Sequence, residues 1–249
     1  MGCTIQIVGI MPLLKYAAGV GRPLGILEGF VYFSCERYSL SAIFLSIVFL
    51  VSDIPFSSEN ETYTLLRVSR RRWLAGKVLY LLCVCGLYYL AVLLAGMVFL
   101  SGSAYVGNFW SEPLYYLARG INMGEYSAYF PYLHILRLSP FRAAAMAFAL
   151  NVAYGFVMSL FLFLCNLKLP KTLGYAAAML LHGVFYLMLS VSQSHSYAGY
   201  SLLGNSMLMY HSVNGEYEEL FPTFYQSFLV FGAAIVILLL YPIIRRISI

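Results

Sequence analysis

Long uncharged apolar runs, parted by short polar breaks, set the pattern of this chain. The first, 3–20, is interrupted by Lys15 and crosses a bilayer only if that side chain snorkels to the headgroups. Gly19, Gly21, Pro23 and Gly25 break it, and a connecting segment carries Glu28, Glu36 and Arg37. The run 38–52 holds 15 uncharged residues. The run 78–100 holds 23, enough to cross a core of about 30 Å at about 1.5 Å per residue. Three more follow: 143–167, 172–192 (broken only by His182) and 224–244, closed by Arg245 and Arg246. A tight turn with Lys168, Pro170 and Lys171 joins the first two of these, and the polar segment 193–223 precedes the last. The pattern predicts an all-α, polytopic membrane protein of about six helices in a single transmembrane domain, 1–249.

The longest charged passage is 53–77, DIPFSSENETYTLLRVSRRRWLAGK, with eight of the chain's 25 charged side chains. Ser58 and Glu61 fit a capping box, with Asp53 and Pro55 just before it. At 100° per residue Leu65, Leu66, Ser69, Trp73 and Gly76 share one face, and Arg67, Arg70, Arg71, Arg72 and Lys77 spread over the rest. Such a helix lies at a membrane surface; the plainer reading is a solvated, positive inner loop.

Composition agrees with lipid as the solvent: 61% of residues are hydrophobic, 10% are charged, and mean hydropathy is +0.80. A soluble domain averages about a quarter charged. With both termini cytoplasmic, nine basic and three acidic residues face inward for a net +6, and the outer segments carry −1; the inverse topology breaks the positive-inside rule. The net +5 therefore speaks to sidedness and not to nucleic acid. Outer aromatics such as Tyr105, Phe109, Trp110, Tyr126 and Phe130 read as an interfacial belt.

Catalytic signatures are sparse. The five Cys form no framework, and Cys83 and Cys85 point different ways on a helix. There is no HExxH, GxSxG or Walker A motif, so the chain is read as a non-enzyme without a cofactor or metal. Phe130 and His134 form an FxxxH fragment of the kind used by intramembrane proteases, with only Glu218 and Glu219 to complete it. His182 and Asn151 are ionisable or polar groups within predicted spans, and serve either as interhelical hydrogen-bond partners or along a translocation path. None of the clear spans contains a carboxylate.

Asp53 and Pro55 closing a second helix, a short amphipathic helix, and LLRVSRRRWLAGK leading into a third resemble the permease subunits of ABC-2 type transporters. The match is strongest over 63–80, where Arg70, Arg71, Arg72, Gly76 and Lys77 occupy the pattern of the family's coupling segment. The resemblance implies an ABC-2 (type V exporter-like) permease bundle that pairs with a second permease subunit and a separate ATP-binding-cassette ATPase, which binds the ATP. It assigns ATPase coupling to Tyr63, Leu66, Arg67, Arg70, Arg71, Arg72, Trp73 and Lys77. It also implies short re-entrant helices within 193–223, export of an amphiphile such as a peptide, drug or lipid-linked molecule, and a plasma membrane, read here as bacterial. The uncharged stretch 1–14 departs from the basic elbow helix that opens family members, which points to a shortened start. Two rivals stand beside this: a non-transporting membrane sensor or assembly protein, and an intramembrane enzyme using His134, His182 or His195.

Overall fold

The computed structural model describes residues 1–54, 69–121, 130, 132–191, 199–213 and 221–244. Among the described residues the regular structure is helical apart from one pair of two-residue strands. In order come α1 (Gly2–Val20), β1 (Leu24–Gly25), α2 (Glu28–Ser34), α3 (Arg37–Val51), α4 (Arg70–Leu100), β2 (Ala104–Tyr105) and α5 (Glu112–Ala118). Then follow α6 (Pro140–Asn166), α7 (Lys171–Val191), the short α8 (Leu202–Ser206) with a 3-10 turn at Leu208–Tyr210, and α9 (Phe224–Ile244). Among the described residues α1, α4, α6 and α7 are long and apolar enough to cross a membrane. The pair α2–α3, bent by 90°, makes a fifth such unit, and Phe224–Leu240 of α9 is a shorter apolar helix.

Contacts at the two ends fix the helix directions. Strands β1 and β2 pair in parallel, Leu24 with Ala104 and Gly25 with Tyr105, so α1 and α4 finish at the same end. Glycine serves the exit of α1: Gly21 takes a left-handed φ of 68° and its N–H caps the carbonyls of Ala17 and Ala18. Helix α6 starts at this end too, where Trp110 Nε1 donates to the Leu138 carbonyl at 2.7 Å. At the opposite end Asn166 Nδ2 donates to the carbonyls of Ser52 (3.1 Å) and Ile54 (2.9 Å), and Lys171 lies 3.5 Å from Asp53. Successive long helices therefore alternate in direction.

Helix α6 is the post around which the others stand. Two-thirds of its apolar window is buried (67%), against 22% for α4 and for α7. From Val78 onward helix α4 is apolar all round, yet Leu81, Cys85, Tyr89, Val92 and Leu100 turn inward while Leu87, Leu90, Leu94 and Val98 are exposed. An outward apolar stripe of this kind is what a bilayer requires and water forbids. Cys83 is exposed and Cys85 buried, as their spacing dictates. Cross-helix hydrogen bonds in lipid average only about 0.6 kcal/mol, so close packing of small residues holds the bundle together. Gly155 of α6 is one such point: an added Cβ would fall 2.7 Å from the buried Tyr89 ring.

Three local features differ from the sequence pattern. The third long helix starts at Arg70 and runs 31 residues, so 70–77 are its first turns and not a separate surface helix. The connecting segment after α1 is helical: α2 is wholly buried, and it carries a buried carboxylate, Glu28. Glu28 accepts from the backbone N–H (2.5 Å) and the hydroxyl (2.6 Å) of Ser111, which clamps α2 to the start of α5. Finally, α1 is offset along α4. Gly2 abuts Tyr88, Gln6 lies against Gly96, and Tyr16 beyond donates to the Ile121 carbonyl at 2.6 Å. Helix α1 thus begins midway along α4 and runs past its end.

Replacing Gly155 by Leu should overpack the α4–α6 contact and lower stability by about 1–3 kcal/mol. Gly86→Leu, where a Cβ meets nothing within 4 Å, should leave it unchanged. Heating the purified variants and following the monodisperse fraction by size exclusion measures both; equal losses would show that the contact is not tight.

Candidate functional site

A cavity of about 940 Å³ opens where the bend between α2 and α3 faces α1 and the last turn of α7. One helical face of α1 supplies Thr4, Ile5, Val8 and Pro12. Leu189 and Ser190 of α7 stand opposite, and Tyr132 and Tyr210 are among the remaining wall residues. At the bend itself lie Glu36 and Arg37, both half-buried. Glu36 accepts a hydrogen bond from Ser39, and the Arg37 guanidinium stands 5.5 Å over the Tyr38 ring. Among the described residues neither charge is in an ion pair; those found are Arg22–Glu112 (3.1 Å) and Lys171–Asp53, both largely solvent-exposed. Exposed pairs of this kind contribute about 0–1 kcal/mol, so they mark the ends of the bundle without holding it together.

The pattern of spans treated Glu36 and Arg37 only as the boundary of an apolar run. The available signal was two opposite charges side by side between FVYFSC and YSLSAIF, with no polar stretch to solvate them.

The structure places the candidate path residues elsewhere. His182 Nδ1 meets the Tyr154 hydroxyl at 2.6 Å, and its ring stacks on Phe44 at 4.1 Å, joining α3, α6 and α7. Asn151 Nδ2 donates to the Ser34 hydroxyl at 3.2 Å, tying α6 to α2. The cavity lining includes neither. Each has an interhelical partner, although His182 Nε2 is buried without one among the described residues.

Tyr63, Leu66 and Arg67 lie outside the described residues, as do His195, Glu218, Glu219, Arg245 and Arg246. Of the rest of the basic stretch, Arg70 opens α4, and Arg71 and Arg72 are exposed in its first turn. Trp73 is buried against Phe163 of α6, and Lys77 Nζ stands 5.6 Å over the Trp73 ring. This turn is at the bundle end that holds Asp53 and Lys171, away from the β1–β2 pair.

A second polar cluster organises the segment between α7 and α9. Asn205 Nδ2 donates to the carbonyls of Gly199 and Ser201, which turns its Oδ1 towards the Ser227 hydroxyl at 2.6 Å. His211 Nε2 lies 2.9 Å from the same hydroxyl, and its Nδ1 lies 2.9 Å from the Met207 carbonyl. Burial lowers the His211 pKa to about 4, so the ring is neutral at pH 7 and its Nδ1–H donates to Met207. Ser227 then has one proton for two acceptors, Asn205 Oδ1 and His211 Nε2. His134 completes the wall, with Nε2 3.2 Å from the Met209 carbonyl. Its FxxxH partner Phe130 is buried beside Tyr32.

Set against known proteins, the chain matches no family model, no curated protein and no solved structure.

An ordinary His titrates at about 6.5. With His211 held near 4, stability tied to the neutral ring is complete above about 6.5 and is lost as pH falls from there towards 4. The purified protein should melt at lower temperature at about pH 5 than at about pH 7.5, and His211→Gln should reduce that difference. An equal acid loss in the variant would show that other groups carry it.

Proposed function

We propose that the chain is the membrane-spanning permease subunit of an ABC-2 type transporter, which exports an amphiphile with energy from a separate ATPase. In this reading α3, α4, α6, α7 and α9 cross the membrane, α1 lies along the outer half of α4, the C-terminus is cytoplasmic, and two such subunits form the path across a cell membrane. The observation that supports it most is the first turn of α4. Arg71 and Arg72 project from the start of a 31-residue helix whose Trp73 is locked into the core. A push on that turn moves α4 as a rod, and through Trp73–Phe163 it moves α6. Arg67, Arg70, Arg71 and Arg72 then dock on acidic side chains of the ATPase, with Tyr63, Leu66 and Lys77 at the margin. The buried α8 and the turn at Leu208–Tyr210 accord with the short re-entrant helices of that family between its last two spans. The cavity at Glu36 and Arg37 supplies a chamber for cargo.

The test is a pull-down of tagged protein from detergent under mild crosslinking, with and without Arg70, Arg71 and Arg72 changed to Glu. An ATPase of the binding-cassette type should co-purify with the parent and be lost from the triple variant. Recovery of none from the parent removes the transporter reading and leaves the sensor or assembly protein in its place.

A further inference from the structure

Four tyrosines, two charges and two apolar helices meet in the cavity at the α2–α3 bend. On its α1 wall Val8 is 65% exposed, and on α7 Leu187, one turn from the lining residue Ser190, is 58% exposed. Both flanks are apolar helices with outward hydrophobic faces, which suits access to the cavity from lipid between them. The wall chemistry is graded. Ile5, Val8, Pro12 and Leu189 line the apolar side, and Glu36, Arg37, Ser39 and Ser190 the polar one.

A charge within a bundle that faces lipid is costly unless paired, and intramembrane ionisable groups mark substrate sites. Here a carboxylate and a guanidinium, neighbours in sequence, line one cavity, and neither makes a salt bridge among the described residues. Ser39 satisfies part of Glu36 and the Tyr38 face part of Arg37. A monoanion would pair with Arg37 and be repelled by Glu36; a monocation would meet the reverse. A head that carries both signs satisfies both.

We propose that this cavity binds an amphiphile with a zwitterionic head, its ammonium on Glu36 and its phosphate or carboxylate on Arg37, with its chain along Ile5, Val8 and Leu189. The cavity volume is at the upper end of the roughly 300–1,000 Å³ of small-molecule sites, room for the head and the first part of one chain. This deepens the permease reading, and rests on it only for naming the amphiphile as cargo.

The probe is phosphatidylethanolamine with a diazirine in its acyl chain, photolysed in proteoliposomes of the full chain, with labelled peptides mapped by mass spectrometry. Label should fall on the peptides holding Thr4 to Pro12 and Leu189–Ser190. It should drop about tenfold in Arg37→Gln and in Glu36→Gln, the fold-change for one lost charge-assisted contact. Arg142→Gln, exposed and outside the cavity, should leave it unchanged. Val8→Trp, which fills the mouth without touching a charge, should block it and keeps the test decisive if either charge variant fails to fold. Unlabelled phosphatidylethanolamine should compete. Competition by 2-aminohexadecanoic acid as well assigns a site that accepts either anion; its failure assigns a phosphate site, and both outcomes support the proposal. Phosphatidylglycerol competing equally well, or label spread evenly over the outer faces of α4 and α9 in parent and variants, overturns it. ATPase co-purification with Arg37→Gln is read separately. If it persists while labelling is absent, the site falls and the permease reading stands; if labelling holds and no ATPase is ever recovered, the reverse is true.

Discussion

The close fit of α6 against its neighbours is the constraint on which the rest of the structure depends. Lipid is as apolar as leucine, so burying one more apolar face gains little, and helices associate where backbones approach and surfaces interlock. Helix α6 meets this condition with Ala143, Ala144, Ala147, Gly155 and Ser159, all small and buried along it. Tyr89 of α4 fills the notch at Gly155, Phe163 receives Trp73, and Tyr154 receives His182. Each of these contacts brings in a different helix or a different part of one, so α6 sets their relative positions.

From that arrangement comes the division of the molecule into two chemically different ends. One end gathers Arg71, Arg72, Asp53 and Lys171 around the starts of α4 and α7. The other is tied by backbone and side-chain bonds: the β1–β2 pair, Glu28 on Ser111 and Trp110 on Leu138. The bend between α2 and α3 lies nearer the second end, because α2 is clamped there by Glu28 while α3 runs off at 90° towards the first. The cavity is a consequence of the bend. Two helices meeting at that angle leave a wedge that α1, offset along α4, does not fill.

Much of this was legible in the residues. Long uncharged runs gave helices, because a segment that must satisfy its own backbone bonds in lipid has few alternatives. The opposed faces of Cys83 and Cys85 followed from helical spacing alone, and His182 and Asn151 proved to have interhelical partners. What remained hidden depends on contacts far apart in sequence. Glu28 reads as part of a polar connection until Ser111 is seen to receive it. The start of α4 at Arg70 breaks the expectation that charge ends a helix, since Trp73 anchors that turn in the core. The offset of α1 has no local signature, being set by Gln6 on Gly96 and Tyr16 on Ile121. The adjacency of Glu36 and Arg37 in sequence was visible, but the space around them was not.

The central claim is that the basic first turn of α4 and the clamped end near α5 lie on opposite sides of a membrane, the basic one inward. Single cysteines at Arg72, Lys171, Glu112 and Arg119 in a background free of the native five test it directly, with a membrane-impermeant thiol reagent applied to whole cells. The account predicts labelling of the Glu112 and Arg119 positions from outside, and of Arg72 and Lys171 only after the membrane is opened. Labelling of Arg72 from outside, or of all four positions alike, would contradict it.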